Sequence, residues 1–238
     1  MSSFAQSGLE HVYDTFFDWS YIKAVLPELI VTGWPNTLLL AIASALLALV
    51  MAWVMVILDV TGCHLVRLPV RVYVSVFRGL PVILTVLLVG QGLPMAGISP
   101  FGPGSYPYAI AALGMVNAAY LCEIFRSGIQ SVDAVLLEAS LTLGLSRRSA
   151  MVRIMVPLGI RNMQPAIANQ LIVIIKESSL VYLLGLLPEQ RDLFSIAQDH
   201  GARTGTLSAL VAAGCIYLAT TVPLTALIDR LDRRFRAV

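Results

Sequence analysis

Charge is what this chain has least of: Asp, Glu, Lys and Arg together make up 13% of its 238 residues, about half the share usual in a soluble domain. A water-facing shell for a body of that size needs more. Lysine is scarcest, with Lys23 and Lys176 alone. Neither closes a glycine-rich turn, so there is no Walker A loop to cradle nucleotide phosphates, and the chain is not itself an ATPase. Cys63, Cys122 and Cys215 stand far apart, which suggests neither a disulfide framework nor a metal site and leaves packing as their use. His11, His64 and His200 are equally scattered. No HExxH, nucleophile elbow or carboxylate cluster points to an enzyme. A net charge of +2, with no basic patch interleaved with aromatics, argues against nucleic acid. The basic start of a cleaved signal peptide is missing. Residues 1–33 are therefore expected to be retained as an extracytoplasmic or interfacial segment, with Phe16, Phe17, Trp19 and Tyr21 at headgroup level.

What is there instead is apolar. The chain is 58% hydrophobic with a mean hydropathy of +0.82. Residues 36–58 run for 23 positions without a charge, longer at 1.5 Å per residue than a hydrocarbon core of about 30 Å. Further spans are expected within 72–93, interrupted by Arg78, Gly79 and Pro81, then at 107–125, 165–184 and 206–228. Residues 94–106, rich in Gly and Pro, read as an ordered external loop or re-entrant turn. With five spans, 12 Lys and Arg fall on one side and 3 on the other, Lys176 lying inside span four. The richer side is expected to be cytoplasmic, which places the N-terminus outside and the C-terminal RLDRRFR inside.

Two places carry chemistry. Residues 130–157 form the only long polar and charged stretch between apolar runs. A short helix over 134–143, a permissive turn at Gly144, and a second short helix N-capped by Ser146 and carrying Arg147, Arg148 and Arg153 are expected. Such a pair suits either the membrane surface or a partner's groove. The second place is span four. Asn169 and Lys176 are seven apart, as are Gln170 and Glu177, so each pair shares a helix face. The resulting stripe either holds helices together or lines a path, with a helix break expected around Ser178 and Ser179. Arg78, Glu123, Asn169, Lys176, Glu177, Ser178 and Ser179 are the candidates for such a path. Within that set, Glu123 is a candidate partner for Lys176, and Arg78 for Glu177.

Resemblance narrows these alternatives. Glu138, Ala139, Gly144, Ile154 and Pro157 resemble the EAA loop of importer-type ABC transporter permeases, with Ser140 in place of the usual second Ala and Val156 in place of Leu. FRGLP at 77–81, AAYLCEIFRSGI at 118–129 and NQLIVIIKESSL at 169–180 are similar to signatures of the polar amino acid branch, which serves histidine, glutamine, glutamate and arginine. Leu80 departs from the branch's Thr, Glu177-Ser178 from its Asp-Thr, and Asp133, Val135 and Leu136 from its Pro, Gly and Gln. The resemblance implies an all-α, five-span membrane protein, the permease of a type I ABC importer, in a bacterial inner membrane. The permease domain would occupy 34–229, with its cytoplasmic coupling loop at 130–157, and 230–238 would be a basic tail. Glu138, Ala139, Ser140, Gly144, Ile154 and Pro157 would then meet an ATPase. Implied partners are a second permease chain, the same or similar, two cytoplasmic ATPase subunits holding ATP and Mg, and an extracytoplasmic amino-acid-binding protein. No cofactor is expected on this chain. The rival readings are an ATPase-independent channel or secondary carrier and a membrane anchor or scaffold, which has no use for a polar stripe.

Overall fold

The computed structural model describes Gly8 and residues 11–61 and 64–236, with the backbone alone for residue 61 and for 231–236. The expectation for Cys63 and for the first residues of the N-terminal segment lies outside that range. Among the described residues the structure is helical throughout, and four helical runs are long and apolar enough to cross a membrane, or five if one bent pair counts as a span.

Asp18 caps helix α1 (Trp19–Glu28), its carboxylate accepting from the Ser20 and Tyr21 amides. A π turn over Leu29–Gly33 leads into α2 (Trp34–Thr61). The N-terminal segment expected to end at residue 33 is thus continuous with the first span, because nothing in residues 28–34 stops the helix. In α2, Ala41, Ala45, Ala48 and Ala52 are buried, while Ile42, Leu46, Val50 and Val54 on the opposite side are more than half exposed. Where lipid is the solvent, hydrophobicity does not sort the faces. Small residues let helices approach closely, and bulky ones meet the acyl chains. Ala48 and Ala52 pack on Leu121, Cys122 and Phe125, and Ala41 and Ala45 on Ile174 and Ile175.

The span expected within 72–93 is not straight. Helix α3 (His64–Gly79) and α4 (Val82–Leu87), which continues to Met95, meet at 108°. Pro81 has no N–H and adopts ψ 135, and it disfavours helical geometry at Leu80 before it. Helix α5 (Ser105–Gln130) is the centre of the bundle, with Leu113, Val116, Asn117, Leu121 and Phe125 fully buried.

Helix α6 (Ala134–Thr142) is followed by α7 (Arg147–Ala150), a π turn over Met151–Met155, α8 (Val156–Glu177) and a 3-10 turn over Ser178–Leu184. The expected change of helix at Ser178 is present. The second arm of the polar loop does not stop at Pro157, however, and span four does not begin near Pro165. One helical run joins them from Arg147 to Leu184. Each π turn precedes a proline by the same interval. The N–H of Trp34, Leu93 and Val156, the residues just before Pro35, Pro94 and Pro157, reaches back five residues to Leu29, Leu88 and Met151. A proline ring clashes with the carbonyl four residues back, and a widened turn moves that carbonyl aside without ending the helix.

Between the last two spans lies a further helix, α9 (Leu193–Thr204), before α10 (Ser208–Arg236). Asp192 caps it, accepting from the Ser195 hydroxyl and from the Phe194 and Ser195 amides. Burial pushes the Asp192 carboxyl up, and those hydrogen bonds draw it part of the way back. Leu193, Ile196 and Ala197 pack on α1 and α10, and the Leu193 N–H donates to the Thr37 hydroxyl while Asn36 donates to the Glu189 and Arg191 carbonyls just before it, so α9 is fixed to the start of α2.

Candidate functional site

The polar loop is built as two arms around one glycine. Asp133 caps α6 by accepting from the Val135 amide at 2.9 Å. At its other end Gly144 has φ +84, its N–H bonds to Leu141 O, and Leu145 N–H bonds to Ser140 O. That is a Schellman ending, which requires a left-handed residue where glycine stands. Ser146 then caps α7, accepting from the Ser149 amide. Of the residues expected to meet a partner, Glu138, Ala139, Gly144 and Pro157 are exposed and Ile154 is half-buried. Ser140 points inward and is buried, its hydroxyl donating to Leu136 O. Leu143 at the tip is 84% exposed, and Val135 63%. An apolar tip of this kind suits either a protein partner or the membrane surface.

The loop is held firmly to the bundle. A Cβ on Gly159 would lie 2.8 Å from Ile129 Cα, and one on Gly128 would lie 3.0 Å from Gly159 O. Helices α5 and α8 therefore cross backbone to backbone where the loop begins. Asn162 donates to the Ser131 hydroxyl at 2.9 Å, closing the same corner.

Polar residues of the bundle gather in two groups, with Gln170 of the first lining a cavity beside the second. In the first, buried Asn117 donates to Glu177 Oε2 at 2.8 Å and to Leu113 O, and accepts from Gln170 Nε2 at 2.7 Å. Gln170 and Glu177 do share a face, as their spacing requires. Asn169 and Lys176 share the other and are exposed, as the half-buried Ser179 is not. Buried Ser178 donates to Ile175 O. The second group is a chain of charges. Asp59 Oδ1 lies 3.3 Å from Arg71 Nε and its Oδ2 lies 3.4 Å from Arg126 Nε, while Glu123 Oε2 lies 3.5 Å from Arg126 Nη1 and 3.4 Å from Arg78 Nη1. Arg78 also lies over the Tyr120 ring. Beside it is a cavity of about 390 Å³ lined by Arg78, Tyr120, Glu123, Ser127, Asn162 and Gln170 among others.

The pairings expected from sequence are therefore exchanged. Arg78 pairs with Glu123 rather than Glu177, and Glu177 is held by Asn117, because α3 ends against α5 a turn and a half beyond Asn117. Lys176 is exposed on the other face of α8, whereas Glu123 belongs to the chain of charges. Asn117 and Asp59 are not among the residues expected at the site, and Arg71 and Arg126 are expected only as charges on the richer side. A lone Asn in an apolar run, and an Asp ending a span, are the signals that would have found them, since neither is left unpartnered away from water.

The profile of the family described as binding-protein-dependent transport system inner membrane component matches residues 64–237. The probable amino-acid permease YxeN of Bacillus subtilis is 32% identical over 219 residues, covering 91% of this chain and 95% of that protein. The glutamate/aspartate import permease GltK of Escherichia coli is 31% identical over 224 residues, 92% and 98% of the two chains. The crystal structure of an amino acid ABC transporter with histidines superposes with a TM-score of 0.83 at 28% identity, over 91% of this chain and 98% of that one. A bacterial transporter that imports alginate, at 15% identity and a TM-score of 0.70 over 97% and 88% of the chains, shares the fold. The architecture is that of a type I importer permease. With that profile spanning well over half its length, the chain belongs to the family of inner membrane components of binding-protein-dependent transport systems.

Proposed function

We propose that the chain is the non-catalytic permease subunit of an ATP-driven importer for a polar amino acid of the glutamate, glutamine, arginine and histidine class. The observation that carries this is the loop: two capped arms around Gly144, an exposed apolar tip, and a backbone-to-backbone anchor to the bundle at Gly128 and Gly159. Such a surface serves a partner that moves it. Two ATPase subunits, holding ATP and Mg, dock there, and an extracytoplasmic binding protein delivers the amino acid. The chain works as a dimer with itself or a similar chain, since each copy offers few polar groups with which to enclose a path. Arg78, Glu123, Asn169, Lys176, Glu177, Ser178 and Ser179 are the path residues. The relatives' amino-acid permease names support the substrate class.

ATP closes the ATPases and rocks the permeases outward, and hydrolysis resets them. In proteoliposomes holding the dimer with its ATPase and binding protein, uptake of L-glutamate, L-glutamine, L-arginine or L-histidine is expected to require ATP. Uptake that persists at the same rate with the ATPase left out would instead establish a channel or secondary carrier.

A further inference from the structure

Toward its N-terminal end the bundle has a groove that shares no residue with either polar group. Helical residues 11–16 and α1 stand off from the first half of α10, leaving an open slot of about 640 Å³. Tyr13, Phe17, Trp19 and Ile22 line one side of it, and Cys215 and Ile216 the other. Hydrogen bonds join the two sides at either end: Leu207 N–H donates to Thr15 O at 2.7 Å, and Trp34 Nε1–H donates to Thr220 Oγ1 at 3.0 Å. From Leu207 to Thr220 is about 20 Å along a helix, the depth of one leaflet with its headgroup layer. A cavity of about 150 Å³ takes one benzene ring, so the slot has room for a full acyl chain.

Tyr13, Phe17 and Trp19 are half or more exposed, as amphipathic rings at headgroup level are. Lys23 stands beside them, exposed, its ammonium 5.6 Å from the Trp19 ring centroid and in no ion pair among the described residues. Asp18 close by is engaged as the cap of α1, accepting from Ser20 and Tyr21, and exposed Asp14 makes no pair with Lys23. The rim of an apolar slot thus carries a cation without an acid. We propose that the groove holds one molecule of phosphatidylglycerol, with an acyl chain in the slot and the phosphodiester against Lys23. Phosphatidylethanolamine has the same phosphate but brings its own ammonium, which competes with Lys23 for it, so the anionic lipid binds better. The site goes beyond the permease reading and needs only that the chain lies in a bilayer. Its occupant would clasp the N-terminal helix to α10 between the two hydrogen-bonded ends.

The test reads Trp19 by fluorescence in the full chain carrying Trp34→Phe and Trp53→Phe, which leaves it the only tryptophan, reconstituted in phosphatidylcholine vesicles. Phosphatidylglycerol with brominated acyl chains, added at rising mole fraction, should quench Trp19 as if enriched about fivefold over its bulk share, the effect of one lysine near an anionic headgroup. Brominated phosphatidylethanolamine should show an enrichment below about twofold. Lys23→Gln should bring the phosphatidylglycerol value to about one, and Lys23→Arg should keep it. Cys215→Phe, which fills the slot and leaves Lys23 in place, should lower it as far as Lys23→Gln does. Enrichment that survives Cys215→Phe would reduce the site to diffuse attraction at the surface, and enrichment that survives Lys23→Gln would remove the phosphate contact; either overturns the proposal. So would a Trp19 that no brominated lipid quenches, because protein, such as a second copy of the chain, would then cover the groove. In detergent, with all native tryptophans in place, added phosphatidylglycerol should raise the Tm of wild type more than phosphatidylethanolamine does and lose that advantage in Lys23→Gln. Equal rises for the two lipids in wild type would overturn it as well.

Discussion

At the scale of single residues, Gly144 shows how a backbone angle and a partner's surface can be told apart. A Cβ placed there meets nothing within 4 Å inside the chain, so a side chain is opposed by φ +84 and, in the assembly, by whatever closes over the turn. A left-handed L-residue costs about 1–2 kcal/mol, least for Asn. Gly144→Asn should therefore keep substrate-stimulated ATPase activity in proteoliposomes, whereas Gly144→Val should insert normally and lose most of it. Wild-type stimulation in Gly144→Val would show that the turn does not transmit. The turn was legible in the sequence because its determinants are local: a cap, a glycine and another cap within a few residues. The pairings of Arg78 and Glu177 were not, because a helix face can be read from spacing but the depth at which two helices meet cannot.

At the scale of elements, prolines were legible as interruptions but not as interruptions of different kinds. Pro81, with Gly79 and Leu80 before it, ends a helix and turns the chain through 108°. Pro35, Pro94 and Pro157 instead sit behind widened turns in helices that carry on, while Pro165 lies within α8 with no such turn. Which of these follows depends on whether neighbouring helices hold the two halves in line, and that is tertiary information. Pro157 has the most at stake, since it separates the loop from span four. Pro157→Ala restores the missing N–H and allows the π turn over Met151–Met155 to relax to an α turn. The loop would then rotate by about 100° and shift by about 1.5 Å against span four. The variant should match or exceed wild type in Tm and yet uncouple ATP hydrolysis from substrate. Unchanged coupling at unchanged Tm would mean that the widened turn serves packing alone.

At the scale of the whole molecule, the bundle was the most legible part, since long apolar runs report membrane spans directly, while α9 was hidden because a short amphipathic helix leaves little trace in hydropathy. Orientation still rests on the 12 to 3 count of Lys and Arg. With the native cysteines replaced, a cysteine at exposed Ala202 should react with a membrane-impermeant maleimide in intact cells, and one at exposed Ser146 only after permeabilisation. The reverse pattern would invert the topology. The helical run from Arg147 to Leu184 also has, under the proposed coupling, the proportions of a lever arm. Its 38 residues extend about 57 Å at 1.5 Å each, and its fulcrum is the crossing at Gly128 and Gly159, about a third of the way along. A tug on the short arm is then amplified about twofold at the far end, by the ratio of arm lengths that the 1.5 Å rise sets. Mechanical advantage is traded for travel, so an ATPase docked at the loop as proposed would have to supply force in excess and only a small stroke.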